Sequence, residues 1–241
     1  MEKRIKELFY RHISAYLKEY NISKSALSGT KRFPNNSIIR IGFRQNTNVL
    51  KCGYFYPVFI VGNENILKLR AGINEMYRVF ENMNQFYGLI IVHPIDICSR
   101  FNRLELDWVA KWDDKEENLL HMVCDENSME RYLEFYSKFM DELGHKFINS
   151  FEFYQGFDMW FNYPFYNRNY KFKIGEIEQM SIFGIISAWL NLNQDYEYIL
   201  EFWLSMNLPT YDKYLNGKTY HIDIKTEIQD LDIYLKTNFP L

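Results

Sequence analysis

The apolar residues of this chain change their spacing along its length, and those changes set the class of fold open to it. From Glu2 to Tyr20 they recur every three or four residues (Ile5, Leu8, Phe9, His12, Ile13, Tyr16, Leu17, Tyr20), which predicts an amphipathic helix. Asn21 to Asn36, with Gly29, Thr30 and Pro34, reads as a loop with a helical turn around Ser25. Three β-rich stretches follow, Ser37–Arg44, Val49–Val61 and Ile66–Ile73, set apart by turn signals at Asn46, Asn48 and Gly62-Asn63. They predict an antiparallel meander in which Pro57, lacking an amide, belongs at an edge or bulge.

Asn74 to Tyr87 returns to helical spacing. Gly88–Val92 suits a strand buried on both faces, and Leu104–Trp112 alternates as a half-exposed strand. From about Asn127 the apolar residues trace one helical face to Ile148, with Asn127 or Ser128 as the cap. Tyr170–Ile174 reads as a last strand, and Glu176–Leu192, Asp195–Met206 and Lys225–Thr237 as helices, with a tight turn at Asn216-Gly217. The expectation is α+β: a mostly antiparallel sheet from the N-terminal half packed with helices, several of them from the C-terminal half. With no repeat or linker, one domain over residues 1–241 is expected; two lobes meeting near residue 150 is the alternative.

A chain of 241 residues with 47% hydrophobic and 24% charged residues buries enough surface to fold without disulfide or metal. Its three cysteines, Cys52, Cys98 and Cys124, are odd in number and unpatterned, which argues against a disulfide framework and for a reducing compartment. No apolar run follows a basic start, and the longest apolar stretch, Met180–Leu192, is too short to span a bilayer. A cytoplasmic protein without a membrane partner is the expectation. The many Asn, Lys, Ile, Tyr and Phe residues suggest a bacterial or phage source. Residues 1–120 hold 18 Lys and Arg against 13 Asp and Glu, whereas residues 121–241 hold 10 against 18, so the C-terminal half is acidic.

Templates for catalysis are missing. No His or Cys pair has zinc spacing, no Gly-x-Ser-x-Gly or phosphate-cradling glycine motif occurs, and no cofactor or metal is expected. His12 lies on the apolar face of the first helix and reads as a histidine satisfied by a neighbour. His93 and Asp96, just after a strand, together with Asp107 form the one alternative enzyme site. Glu105, Asp107 and Lys111 are spaced too widely for a nuclease-type metal core. Lys31-Arg32-Phe33, Arg40 with Arg44, and Asn167–Lys173 mix cations with rings as single-strand binders do, but the chain is not basic and nucleic acid is disfavoured.

What stands out is 151–172, where half the residues are aromatic, with Gly156 and Pro164 among them. Rings on irregular backbone either plug their own core or form a recognition surface. Trp160, Tyr163, Phe165 and Tyr166 are the candidate anchors, with Asp158 and Arg168 toward the rim. The functional expectation is a non-catalytic cytosolic protein-binding module of the type that neutralises a toxin in bacteria, its acidic half facing a basic partner. An exposed patch of this kind would also serve as a homodimer interface.

Overall fold

The computed structural model describes residues 3–23, 28–47, 53–73, 89–101, 122–172, 176–215 and 217–240. Their packing divides into two compact units, one of residues 1–33, 38–62 and 88–149, the other of residues 34–37, 63–87 and 150–241. The architecture is α+β, with the main sheet from the N-terminal half and helices mostly from the C-terminal half. Among the described residues no helix is long and apolar enough to cross a membrane.

In the first unit, helix α1 (Lys3–Tyr16) leads into strands β1 (Asn21–Ser23), β2 (Ser28–Arg32), β3 (Ser37–Thr47) and β4 (Gly53–Asn63), followed later by β5 (Ile90–Val92) and β6 (Met122–Val123). The sheet order is β1-β2-β3-β4-β5, with β6 also on β4. Much of the expected 21–36 loop is therefore strand, with Asn21 paired to Thr30 and Ser28 to Gly42, both antiparallel. Gly29 permits this, because a Cβ there would lie 2.8 Å from the Leu17 side chain. Strand β3 runs through Asn46 rather than turning at it.

Pro57 sits inside β4, in a gap between two short partners. Along one edge β6 pairs with Gly53 and Tyr54, and β5 pairs with Phe59 to Val61. Extending the β5 register would set Pro57 opposite Pro94, where neither ring can donate, so the ladder stops there. Strand β5 is not buried on both faces as expected: Ile91 is 57% exposed between buried Ile90 and Val92.

Helix α3 (Pro94–Arg100) follows β5, and α4 (Glu126–Phe139) follows β6. Asp125, not Asn127 or Ser128, caps α4: its carboxylate accepts from the Ser128 amide at 2.8 Å, and Ser128 Oγ accepts from the Asp125 amide at 3.0 Å. The helix continues through a π turn (Met140–Gly144) into α5 (His145–Ser150). Its apolar face packs the core, with Phe59 ring centroids 5.6 Å from Phe139 and 5.8 Å from Phe147.

One expectation about sulfur fails. Cys124 is disulfide-bonded, so cysteine usage gives no argument for a reducing compartment. Cys98 is buried. Cys52, like the expected 74–87 helix, the 104–112 strand, Ser25, Asn48 and Asp107, lies outside the described residues.

The second unit is helical. The stretch expected as a third meander strand is helix α2 (Glu64–Ile73). Asn63 decides this by capping it, its Oδ1 accepting from the amides of Asn65 and Ile66 at 3.0 and 3.1 Å. The unit continues with α6 (Tyr154–Phe161), α7 (Tyr163–Tyr166), α8 (Glu176–Leu190) and α9 (Tyr196–Ser205). A hairpin of β7 (Thr210–Leu215) and β8 (Lys218–Asp223), turning at Gly217 with φ 81°, and helix α10 (Ile224–Asn238) complete it. Helix α8 packs against α2, α6, α9 and α10. That explains why every residue from Met180 to Trp189 is buried and apolar residues occupy all its faces. The expected strand at 170–174 is absent over its described residues, Tyr170 to Phe172.

Candidate functional site

The aromatic segment folds as α6 and α7 rather than as irregular chain. Pro164 starts the second helix, where its missing amide costs nothing. Gly156 is required because a Cβ there would lie 2.0 Å from the Ser150 carbonyl. The rings divide between two roles. Phe151, Phe157 and Phe161 are buried; Trp160, Tyr163 and Phe165 are half-buried; Tyr166 is 41% exposed, and Arg168 is exposed. A run of mostly edge-on contacts links Tyr163, Tyr170, Phe172, Trp203, Phe202, Phe165 and Tyr166, with centroids 5.1 to 5.9 Å apart. Trp203 of α9 is fully buried at its centre. Most of the segment therefore packs its own unit, and the rings left open are Phe153 at its start, 66% exposed, and Tyr166 toward its end.

Asp158 is not a rim residue. It is 1% exposed, and its three hydrogen-bond donors are neutral side-chain amides: Asn162 on Oδ1 at 2.7 Å, and Asn191 and Asn193 on Oδ2 at 2.8 and 2.6 Å. Burying a carboxylate without such donors would cost several kcal/mol, of order 5 or more. Two of the amide orientations are fixed by groups that can only donate. Trp203 Nε1 donates to Asn162 Oδ1 at 2.8 Å, and the Asp195 amide donates to Asn193 Oδ1 at 2.8 Å. Asn162 also donates to the Gly184 carbonyl at 2.9 Å, and Asn193 to the Tyr166 hydroxyl at 2.8 Å. One buried anion thus ties α6, α7, α8 and α9 to the turn that follows α8. Burial, then the charge of Asp158, holds the Tyr166 hydroxyl above its ordinary pKa, so it stays protonated.

That turn holds one of two non-glycine residues with positive φ among the described residues, the other being Asn36. Leu192 has φ 52° and is 66% exposed. The Leu192 amide donates to the Trp189 carbonyl and the Asn193 amide to the Ala188 carbonyl, both at 3.0 Å, which is the hydrogen-bond pattern of a Schellman helix end. Glycine is usual at the left-handed position, and a leucine there costs roughly 1–2 kcal/mol. Both flanking asparagines are the ones that grip Asp158. A leucine held in a costly conformation with its side chain in water is what the spacing of apolar residues gave no sign of. The readable signal was an apolar helix ending in Asn-Leu-Asn without a glycine.

The other candidates have local uses. His93 begins α3, with its amide donating to the Asp96 carboxylate at 3.0 Å and its ring Nδ1 3.2 Å from the Pro57 carbonyl. Both side chains serve the backbone, and Asp107 lies outside the described residues. His12 Nε2 lies 2.7 Å from Ser137 Oγ, the neighbour that its place on the apolar face calls for. Lys31 pairs with Glu19 at 2.7 Å and lies over the Phe33 and Tyr20 rings at 5.0 and 5.8 Å, which leaves little of it for a phosphate. Arg32, Arg40 and Lys171 are exposed. Among the described residues no three His, Cys, Asp or Glu side chains gather as a metal site. Compared with family models, with curated proteins and with solved structures, the chain matches none.

Proposed function

We propose that the chain is a non-catalytic protein-binding module that docks a partner on the rim of its second unit where Leu192 and Tyr166 emerge. The observation that carries this is Leu192, exposed and in the left-handed region, between two asparagines anchored on a buried anion. A strained, solvent-facing apolar residue lowers the stability of the free protein, and contact of its side chain with a partner would offset that cost. Tyr166 adds a large amphipathic surface at low entropic cost, as interface tyrosines do. Exposed Asp195 and Glu197 follow within the same turn and the start of α9. The matching partner is a protein with an apolar recess for Leu192 edged by Lys or Arg. A basic toxin neutralised by an immunity-type protein fits that chemistry.

The test compares partner capture from the cells that make the protein, using wild type, Leu192→Ala and Tyr166→Ala as baits. The reading expects one partner retained by wild type and lost by tenfold or more from each variant, with both variants folded. Equal retention by all three baits contradicts it, and so does concentration-dependent dimerisation abolished by the same changes with no other partner held.

A further inference from the structure

A second charge cluster in the same unit sets two glutamates on one buried arginine among the described residues. Arg70 of α2 is 3% exposed; its Nη2 donates to Glu178 Oε1 of α8 at 2.8 Å and its Nε to Glu227 Oε1 of α10 at 3.1 Å. The guanidinium also lies 5.0 Å from the Phe183 ring centroid. The two acids are unequal. Glu178 is 22% exposed at its side chain and takes the Tyr211 hydroxyl of β7 on its other oxygen. Glu227 is 7% exposed at its side chain, and its Oε2 is buried with no hydrogen-bond partner. An unsatisfied neutral oxygen in the interior is costly, and an unsatisfied charged one is costlier still.

We infer that Glu227 is a proton-binding site of the folded protein, its buried and unpartnered Oε2 being the atom that holds the proton. Burial is the largest influence and raises its pKa; Arg70 opposes it, and the charge of Glu178 adds to it. Groups on the other elements packed against α10 are engaged elsewhere. Tyr196 of α9 donates to Asp232, and Lys236 bridges Asp232 and Glu197. On the β7–β8 hairpin, His221 pairs with Asp212, while Asp223 caps α10. Tyr234, on α10 itself, lies against Gly72 of α2.

When the proton leaves, Glu227 becomes a buried carboxylate beside half-buried Glu178 on the same guanidinium. The contacts that join α2, α8 and α10, and through Tyr211 the hairpin, then weaken. Because the folded pKa is raised, the stability from this group is complete below the ordinary carboxyl value of 4.5 and is lost as pH rises through the folded value.

The test is urea denaturation of wild type and Glu227→Gln between about pH 4 and pH 8. Near pH 4 the two should be alike. As pH rises Glu227→Gln should become the more stable, its advantage in the unfolding constant growing toward tenfold per pH unit for one proton. A gap that does not change with pH, or a variant that becomes steadily weaker than wild type, overturns the inference. If the variant does not fold, carbon-13 NMR of the Glu227 carboxyl in wild type decides: titration above the ordinary carboxyl value of 4.5 supports the site, and titration at or below it removes it.

Discussion

Asp158 gains its place in the fold from one partner at the end of its own helix and two far away in the sequence. An aspartate in an aromatic stretch reads as a rim charge, because nothing nearby can neutralise it. The three asparagines that hold it come from the end of its own helix and from beyond the end of α8, and as residue types they read only as turn formers. Since all three present N–H groups, the carboxylate is needed as a double acceptor and not for its charge alone. Asp158→Asn is isosteric but turns an amide nitrogen toward amide donors. It should cost about 2–4 kcal/mol in urea denaturation despite removing a buried charge. A neutral or stabilising outcome would mean that the three amides can reorient, against the fixed donors Trp203 and the Asp195 amide.

At the scale of elements, long periodic segments were readable and short ones were not. The helix beginning near residue 127 and the apolar helix α8 follow from their spacing, since each has several turns over which one pattern dominates. Helix α2 does not, because Ile66, Leu67, Leu69, Ala71 and Ile73 suit a strand nearly as well. The deciding cap from Asn63 is a side-chain hydrogen bond that spacing cannot display. The β7–β8 hairpin was legible only as its Asn216-Gly217 turn, its strands being half polar. Close helix packing leaves a sharper mark. Gly184 lets α6 lie against α8, for a Cβ there would be 2.3 Å from Asn162 Oδ1 and 3.2 Å from Trp203 Nε1. Gly184→Ala should cost about 1–3 kcal/mol through displacement of Asn162, and should alter the fluorescence of Trp203. Unchanged stability would show that the contact has slack.

For the whole molecule, the α+β class was legible because each change of period is local, whereas the proposed docking rim was not, because it depends on one backbone angle and on contacts between helices. The aromatic segment that draws the eye in the sequence mostly packs around Trp203, and the proposed function rests instead on the exposed leucine beyond α8. Central to this account is that Leu192 is kept in an unfavourable conformation for the sake of its side chain. The most direct measurement is the urea-denaturation stability of Leu192→Gly beside its capture of the partner held by wild type. The account predicts a gain of about 1 kcal/mol, since glycine relieves the left-handed strain, together with loss of capture. A variant that is no more stable than wild type, or that is more stable and still captures the partner fully, would contradict it.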